Sequence, residues 1–210
     1  MKKHIIFDFD GTLANTLDTG VDIYNRIAHE YGCKQLQKER SKVLQSKKPH
    51  DLMVELEVTF LKLPFLLLRL RHELFMEIKN VKPFNGIVES LEHLKEAGFI
   101  LGVVTSNSRK NVEHFFDEHK ILDLFSTIYT SKHLFGKDKV IARYMKKYGI
   151  EKESAIYVGD ETRDIEAAKK MGIPVVAVGW GFQSKELLEI YKPDVIIDNP
   201  SELQKAVLSL

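Results

Sequence analysis

This 210-residue chain predicts an α/β fold: a doubly wound parallel sheet with an all-helical cap inserted after the first strand. Three observations predict it. Short β-branched runs alternate with segments of helical period. The runs are apolar throughout, as expected of strands buried on both faces. From Asn15 to about Lys82 the alternation stops, and no strand pattern interrupts the helical spacing.

The elements follow in order. His4–Phe9 reads as the first strand, and Ile100–Thr105, Ser126–Thr130, Ala155–Val158, Pro174–Val178 and Val195–Ile197 read alike, each bounded by Gly, Asn, Asp or Pro. Gly86–Ala97 is helical and stops at Gly98. Asp138–Tyr148 carries one apolar face and stops at Gly149, and Asp164–Met171 stops at Gly172. Glycine suits these ends because it tolerates the left-handed conformation that closes a helix. Ser201–Gln204 reads as a capping box opening the last helix.

In the interrupted stretch, Leu17, Val21, Tyr24, Ala28 and Tyr31 recur at helical spacing. A second helix starts after Pro49, and a third covers Phe60–Ile78, bent or begun at Pro64. Pro83 marks the return to the sheet. The expected domains are therefore a core of residues 1–14 and 83–210 and a helical cap of residues 15–82. The Leu-rich Phe60–Leu74 run is expected to serve as cap core by default, with a dimer face or an apolar substrate wall as the other readings.

Composition narrows the function. The net charge of +1 argues against a protein that grips nucleic acid or an anionic membrane. Hydrophobic residues at 44% and charged residues at 29% fit a folded globular chain rather than a disordered one. The single Cys33 excludes an internal disulfide and a zinc site of several cysteines, and suits the cytoplasm. The greasiest stretch, Val58–Leu70, holds Lys62, Pro64 and Arg69. A membrane helix needs roughly 20 mostly apolar residues.

Ligands of open parallel sheets bind beyond the carboxyl ends of the strands. The first strand ends in Asp8-Phe9-Asp10-Gly11-Thr12 and the second in Thr105-Ser106-Asn107. The fourth ends in Gly159-Asp160-Glu161-Thr162-Arg163-Asp164, and Lys137 lies in the loop after the third. Singly, each motif has an ordinary reading: an Asp-Gly turn, a helix cap, a solvated lysine. Jointly they bring Asp8, Asp10, Asp160 and Asp164 to one crevice, where their charges repel. A hard divalent cation relieves that repulsion. Carboxylate and water ligation favours Mg2+, usually completed by a substrate phosphate. Hydroxyls, helix-start N–H groups and one lysine suit the other phosphate oxygens. No Walker loop, nucleophile-elbow serine motif or His-Glu-x-x-His pair occurs.

These motifs resemble those of the haloacid dehalogenase superfamily of phosphotransferases. Asp8–Leu13 matches its first motif, Thr105–Asn107 its second, Lys137 its third and Gly159–Asp164 its fourth. The helical insertion resembles the cap of the phosphoglycolate phosphatase-like branch. The resemblance implies a phosphatase for a small phosphorylated metabolite. Asp8 is then the nucleophile that becomes an aspartyl-phosphate, and Asp10 the general acid and base. Asp8, the carbonyl of Asp10 and Asp160 ligate Mg2+. Thr105 and Ser106, or the N–H groups of Ser106 and Asn107, hold the phosphoryl group, and Lys137 neutralises charge. Glu161 and Asp164 orient metal-bound water or Lys137 from behind the ligands, where Thr12 also stands, and Gly11 lets the chain turn. Asp10 disfavours a dehalogenase, because dehalogenases of the family lack an Asp there.

Many relatives carry Lys-Pro at the third motif, whereas Lys137-Asp138-Lys139 stands here, so Lys139 is an alternative site lysine. Asn15, Thr16, Lys62, Arg69, Arg71 and His72 are candidate substrate contacts of the cap, the last four having a simple surface reading. Trp180 either borders the site or anchors a loop. A phosphomutase of the same fold and a non-catalytic binding module are the alternatives. A monomer or a homodimer is expected.

Overall fold

The computed structural model of the chain describes residues 3–36, 45–131 and 136–210. Six strands form one sheet: β1 His4–Phe7, β2 Ile100–Thr105, β3 Phe125–Thr130, β4 Ala155–Gly159, β5 Val175–Val178 and β6 Val195–Ile197. Their order is β3-β2-β1-β4-β5-β6, and every pairing is parallel. Each expected strand is present, with ends displaced by a residue or two. The chain winds outward from β1 through β2 to β3, then returns to β4 on the other side. The crevice between β1 and β4 is therefore the topological switch point. His4 is in register with both Ile100 and Ala155, so β1, β2 and β4 deliver their carboxyl ends to one place.

Nine α-helices are described: α1 Leu17–Ile27, α2 Pro49–Glu55, α3 Leu63–Glu77, α4 Ile87–Glu96, α5 Arg109–Glu118, α6 Lys137–Tyr148, α7 Thr162–Met171, α8 Lys185–Ile190 and α9 Leu203–Leu208. Of these, α5 and α8 are additional to the helices expected from the pattern. Two apolar layers flank the sheet. Ile5 and Phe7 of β1 join α4, α5 and α9 in one, and Ile6 joins α6, α7 and α8 in the other. That alternation is the period of two of a strand covered on both faces.

The insertion leaves and rejoins the core at adjacent points. Ala14 bridges Pro83, the Asn15 N–H donates to the Lys82 carbonyl (2.9 Å), and the Phe84 N–H donates to the Leu13 carbonyl (3.3 Å). α3 begins at Leu63 with Pro64 in its first turn, where the missing proline N–H costs nothing. Arg26 of α1 reaches Glu77 of α3 at 2.6 Å.

Two expectations are corrected. The Phe60–Leu74 run is only partly core: Leu66 and Leu74 are buried, but Phe60, Leu61, Phe65 and Leu68 are exposed. A helical layer covered on one side cannot bury the full circumference of α3. The final capping box is Asn199 with Glu202, not Ser201 with Gln204. Pro200 at the first helical position fixes the start two residues earlier.

Candidate active site

β1 stops because the chain curls around one carbonyl. The Phe9 oxygen accepts from the N–H groups of Leu13 (2.9 Å) and Ala14 (3.0 Å). Gly11 sits in this turn at φ +78°. A Cβ there would stand 2.2 Å from Asp160 Oδ2, so glycine is required by conformation and by space alike. The turn projects Asp8 and Asp10 beyond the sheet, and Trp180 anchors it by donating Nε1–H to the Thr12 carbonyl at 3.2 Å. Of the two roles considered for Trp180, loop anchor is the one seen.

Asp8, Asp160 and Asp164 meet there. Each offers an oxygen within 4.8 Å of the others, and all three are buried. Asp160 accepts from the Thr12 hydroxyl (2.7 Å) and the Phe182 N–H (2.7 Å). It does not cap α7. Glu161 does, in a reciprocal box with Asp164, whose Oδ2 accepts from the Glu161 N–H at 3.0 Å. Glu161 also receives Arg163 at 2.6 Å.

Of the two candidate lysines, Lys137 is the one that reaches the acidic cluster. Its ammonium lies 2.5 Å from Asp8 Oδ2 and also pairs with Asp164. Lys139 is exposed. Lys137 is the first residue of α6 rather than part of a loop, which fixes the direction of its side chain. Thr105 and Asn107 are buried at the end of β2, with the Asn107 N–H donating to the Thr105 hydroxyl oxygen at 2.9 Å. The Asn107 amide donates to both oxygens of Asp10, at 2.9 and 3.0 Å. The side chain of Asn107 thus holds Asp10, while its N–H, one of the groups expected at the phosphate, points to the Thr105 hydroxyl.

The charges are unbalanced. Burial, with the charges of Glu161, Asp164 and Asp8, drives Asp160 well above the usual carboxylate range. Burial lifts Asp164 to about 6 against the pull of Lys137. Burial and the charge of Asp8 lift Asp10 to about 6, opposed by Asn107 and Thr16. Burial pulls Lys137 down, but Asp164 and Asp8 overcome it and hold the ammonium well above its ordinary value. A cluster that takes up protons for want of positive charge is a fitting seat for a divalent cation. Its donors, all hard oxygens, suit magnesium and calcium rather than soft metals.

Asp10 opens onto a cavity of about 330 Å³ between the insertion and the core, whose walls include Leu67, Leu70, Arg71 and Phe182. Of the candidate substrate contacts, Thr16 and Arg71 line it. Lys62 instead donates to the Gly32 carbonyl, Arg69 pairs with Glu73, His72 borders a neighbouring groove and Asn15 is exposed. Sequence reasoning missed Gln183. Its side chain accepts from the Thr162 N–H (2.5 Å) and donates to the Lys47 carbonyl (3.0 Å), tying the start of α7 to the insertion.

A family comparison decides the class: haloacid dehalogenase-like hydrolases match residues 5–178. The chain belongs to that family. It is 32% identical over 206 residues to a phosphoglycolate phosphatase of Synechococcus elongatus, covering 98% of this chain and 97% of that one. It is 27% identical to the pyrophosphatase PpaX of Bacillus cereus, over 95% and 93% of the two chains. Among solved structures, a predicted phosphatase from Clostridium acetobutylicum superposes with a TM-score of 0.86 over the whole of both chains at 24% identity, which speaks to the fold. This haloacid dehalogenase-like chain is thus an enzyme, a hydrolase with phosphatases among its relatives. Among the described residues, no helix is long and apolar enough to cross a membrane.

Proposed function

We propose that this hydrolase is a Mg2+-dependent phosphatase that cleaves a small phosphomonoester through an aspartyl-phosphate on Asp8. The observation that carries the reading is the pairing of two differently placed carboxylates. Asp8 is held by Lys137 at 2.5 Å. Asp10, two residues on, is held by Asn107 and lifted to about 6. A carboxylate paired with an ammonium, beside a second one lifted to about 6, suits a nucleophile next to a proton donor.

Asp8 attacks phosphorus as the bond to the ester oxygen breaks, and Asp10 delivers its proton to that oxygen. Asp10 then accepts a proton from the water that attacks the aspartyl-phosphate, returning Asp8 as a carboxylate and releasing phosphate. Lys137 offsets the negative charge that Asp8 and the phosphoryl group share. Thr105, Ser106 and the N–H of Asn107 line the phosphoryl position, the last once freed from Thr105. Mg2+, held by Asp8, Asp160 and the carbonyl of Asp10, supplies compensation for charge on the phosphoryl oxygens. Asp164 acts from behind, since Lys137 and the Glu161 N–H already engage its oxygens. Glu161, bound to Arg163, stands behind with it, and Gly11 and Thr12 keep Asp160 in place.

Residues 1–14 and 83–210 form the catalytic core, and 15–82 the cap that shuts water out. The cavity of about 330 Å³ favours a small metabolite, of which phosphoglycolate is the type suggested by the Synechococcus relative. The lone Cys33 suits a cytoplasmic setting, as a monomer or homodimer. The test is phosphate release from a panel of phosphomonoesters with Mg2+, for the wild type and Asp8→Asn. Release without added bisphosphate, abolished by Asp8→Asn, is expected. Dependence on a bisphosphate would point to a mutase, and undiminished Asp8→Asn activity would end the proposal.

A further inference from the structure

Resting on that reading, we propose that Asn111 is a positioning residue that sets the proton-donating carboxyl of Asp10 and links its setting to the helical insertion. Asn111 is fully buried in the first turn of α5. Its backbone N–H donates to the Ser108 hydroxyl oxygen at 3.2 Å, which caps the helix and fixes the residue in place. The side-chain nitrogen donates twice: to the Arg71 carbonyl of α3 (3.1 Å) and to Asn107 Oδ1 (2.9 Å). Asn107 passes the constraint on, its own Nδ2 donating to both oxygens of Asp10.

The polarity of this chain is locked. The Arg71 carbonyl can only accept, so Asn111 must present its NH₂ group there. The Ser108 N–H can only donate, and it donates to Asn107 Oδ1 at 2.7 Å, so Asn107 must present its NH₂ to Asp10. Turning either amide by half a rotation would set acceptor against acceptor. Asp10 is therefore held by an amide that is itself held, at two removes from α3. The guanidinium of the same Arg71 lines the cavity beside Asp10.

Stability alone does not account for the residue. Asn111 Oδ1 is buried without a hydrogen-bond partner. Its α5 neighbours on the same buried face are Val112, Phe115 and Phe116, where an apolar side chain would avoid that loss. What the amide adds is two N–H donors aimed at Arg71 and Asn107. Loosening Asn107 lets Asp10 rotate away from the leaving oxygen, and correct placement is what makes proton delivery effective.

The experiment compares kcat/KM for two esters with Asn111→Leu and Asn111→Ser. One is p-nitrophenyl phosphate, whose leaving group departs readily without a proton. The other is phosphoglycolate, or the alkyl ester of the panel that the wild type turns over fastest, whose alkoxide needs one. The proposal expects the alkyl-to-aryl ratio to fall by about tenfold or more in both variants, a part of what general acids contribute. The ratio is independent of how much variant folds, because the active fraction cancels. An unchanged ratio overturns the positioning role while leaving the phosphatase reading intact. Failure of the wild type on every ester removes both.

Discussion

Replacing Lys137 by Met tests whether the centre is organised by charge. Methionine keeps most of the length and the apolar stem, so little packing is lost. The ammonium is lost, and it lies between Asp8 and Asp164, whose side chains are 3% and 0% exposed. Removing one partner of a buried ion pair costs about 3–5 kcal/mol. Here two carboxylates are stranded beside Asp160, so the upper end applies. The loss depends on pH in a definite direction. Lys137 is held well above its ordinary value, so its own proton stays on throughout the neutral range and contributes no slope there. The carboxylates supply the slope. Asp164 titrates at about 6 even with Lys137 present. Without the ammonium it moves higher, each unit being worth about 1.4 kcal/mol. Urea unfolding of chelator-treated protein at about pH 5 and pH 8 measures this. The variant should lose about 5 kcal/mol at the higher pH and clearly less at the lower, where protons neutralise the cluster. Added Mg2+ should recover part of the loss at the higher pH. Equal losses at both pH values, with no response to Mg2+, would show that Lys137 acts by packing and would refute the electrostatic account.

Two further outcomes follow from the same balance. In chelator-treated wild type, Asp10 and Asp164 have folded-state values raised from 3.8 to about 6, so the folded state binds protons more tightly than the unfolded chain. Stability should therefore fall as pH rises from about 4 through about 6, by roughly 3 kcal/mol for each group, and Mg2+ should flatten the fall; thermal melts across pH read it. Arg71 is half-buried in the cavity, and burial lowers its affinity for its proton. Arg71→Met should raise KM for phosphoglycolate by about tenfold, the worth of one charge-assisted hydrogen bond. KM for p-nitrophenyl phosphate should change little, since that ester carries no second anionic group.

What the sequence makes legible depends on whether a residue's partner is local. The strands and their ends are legible because burial on both faces writes itself into contiguous apolar runs, and a carboxylate at the end of such a run stands out. Asp8, Asp10 and Asp160 are found that way. The choice between Lys137 and Lys139 is not legible, because it turns on where α6 begins. Two residues are about 200° apart around a helix, so starting at Lys137 sends one ammonium to Asp8 and the other to solvent. The hold of Asn107 on Asp10 is hidden for a related reason: its strand-end position is visible, but its partner is 97 residues away in the sequence. Asn111 and Gln183 leave fainter traces. Asn111 is a polar residue among Val112, Phe115 and Phe116 on the buried face of α5, a mismatch that helical period can reveal without naming what the amide serves. Gln183 has no such pattern around it, and only the fold joins it to Thr162 and Lys47. Strand-end charges therefore identify the chemistry, while the amides that aim those charges can be read only once the insertion has docked on the core.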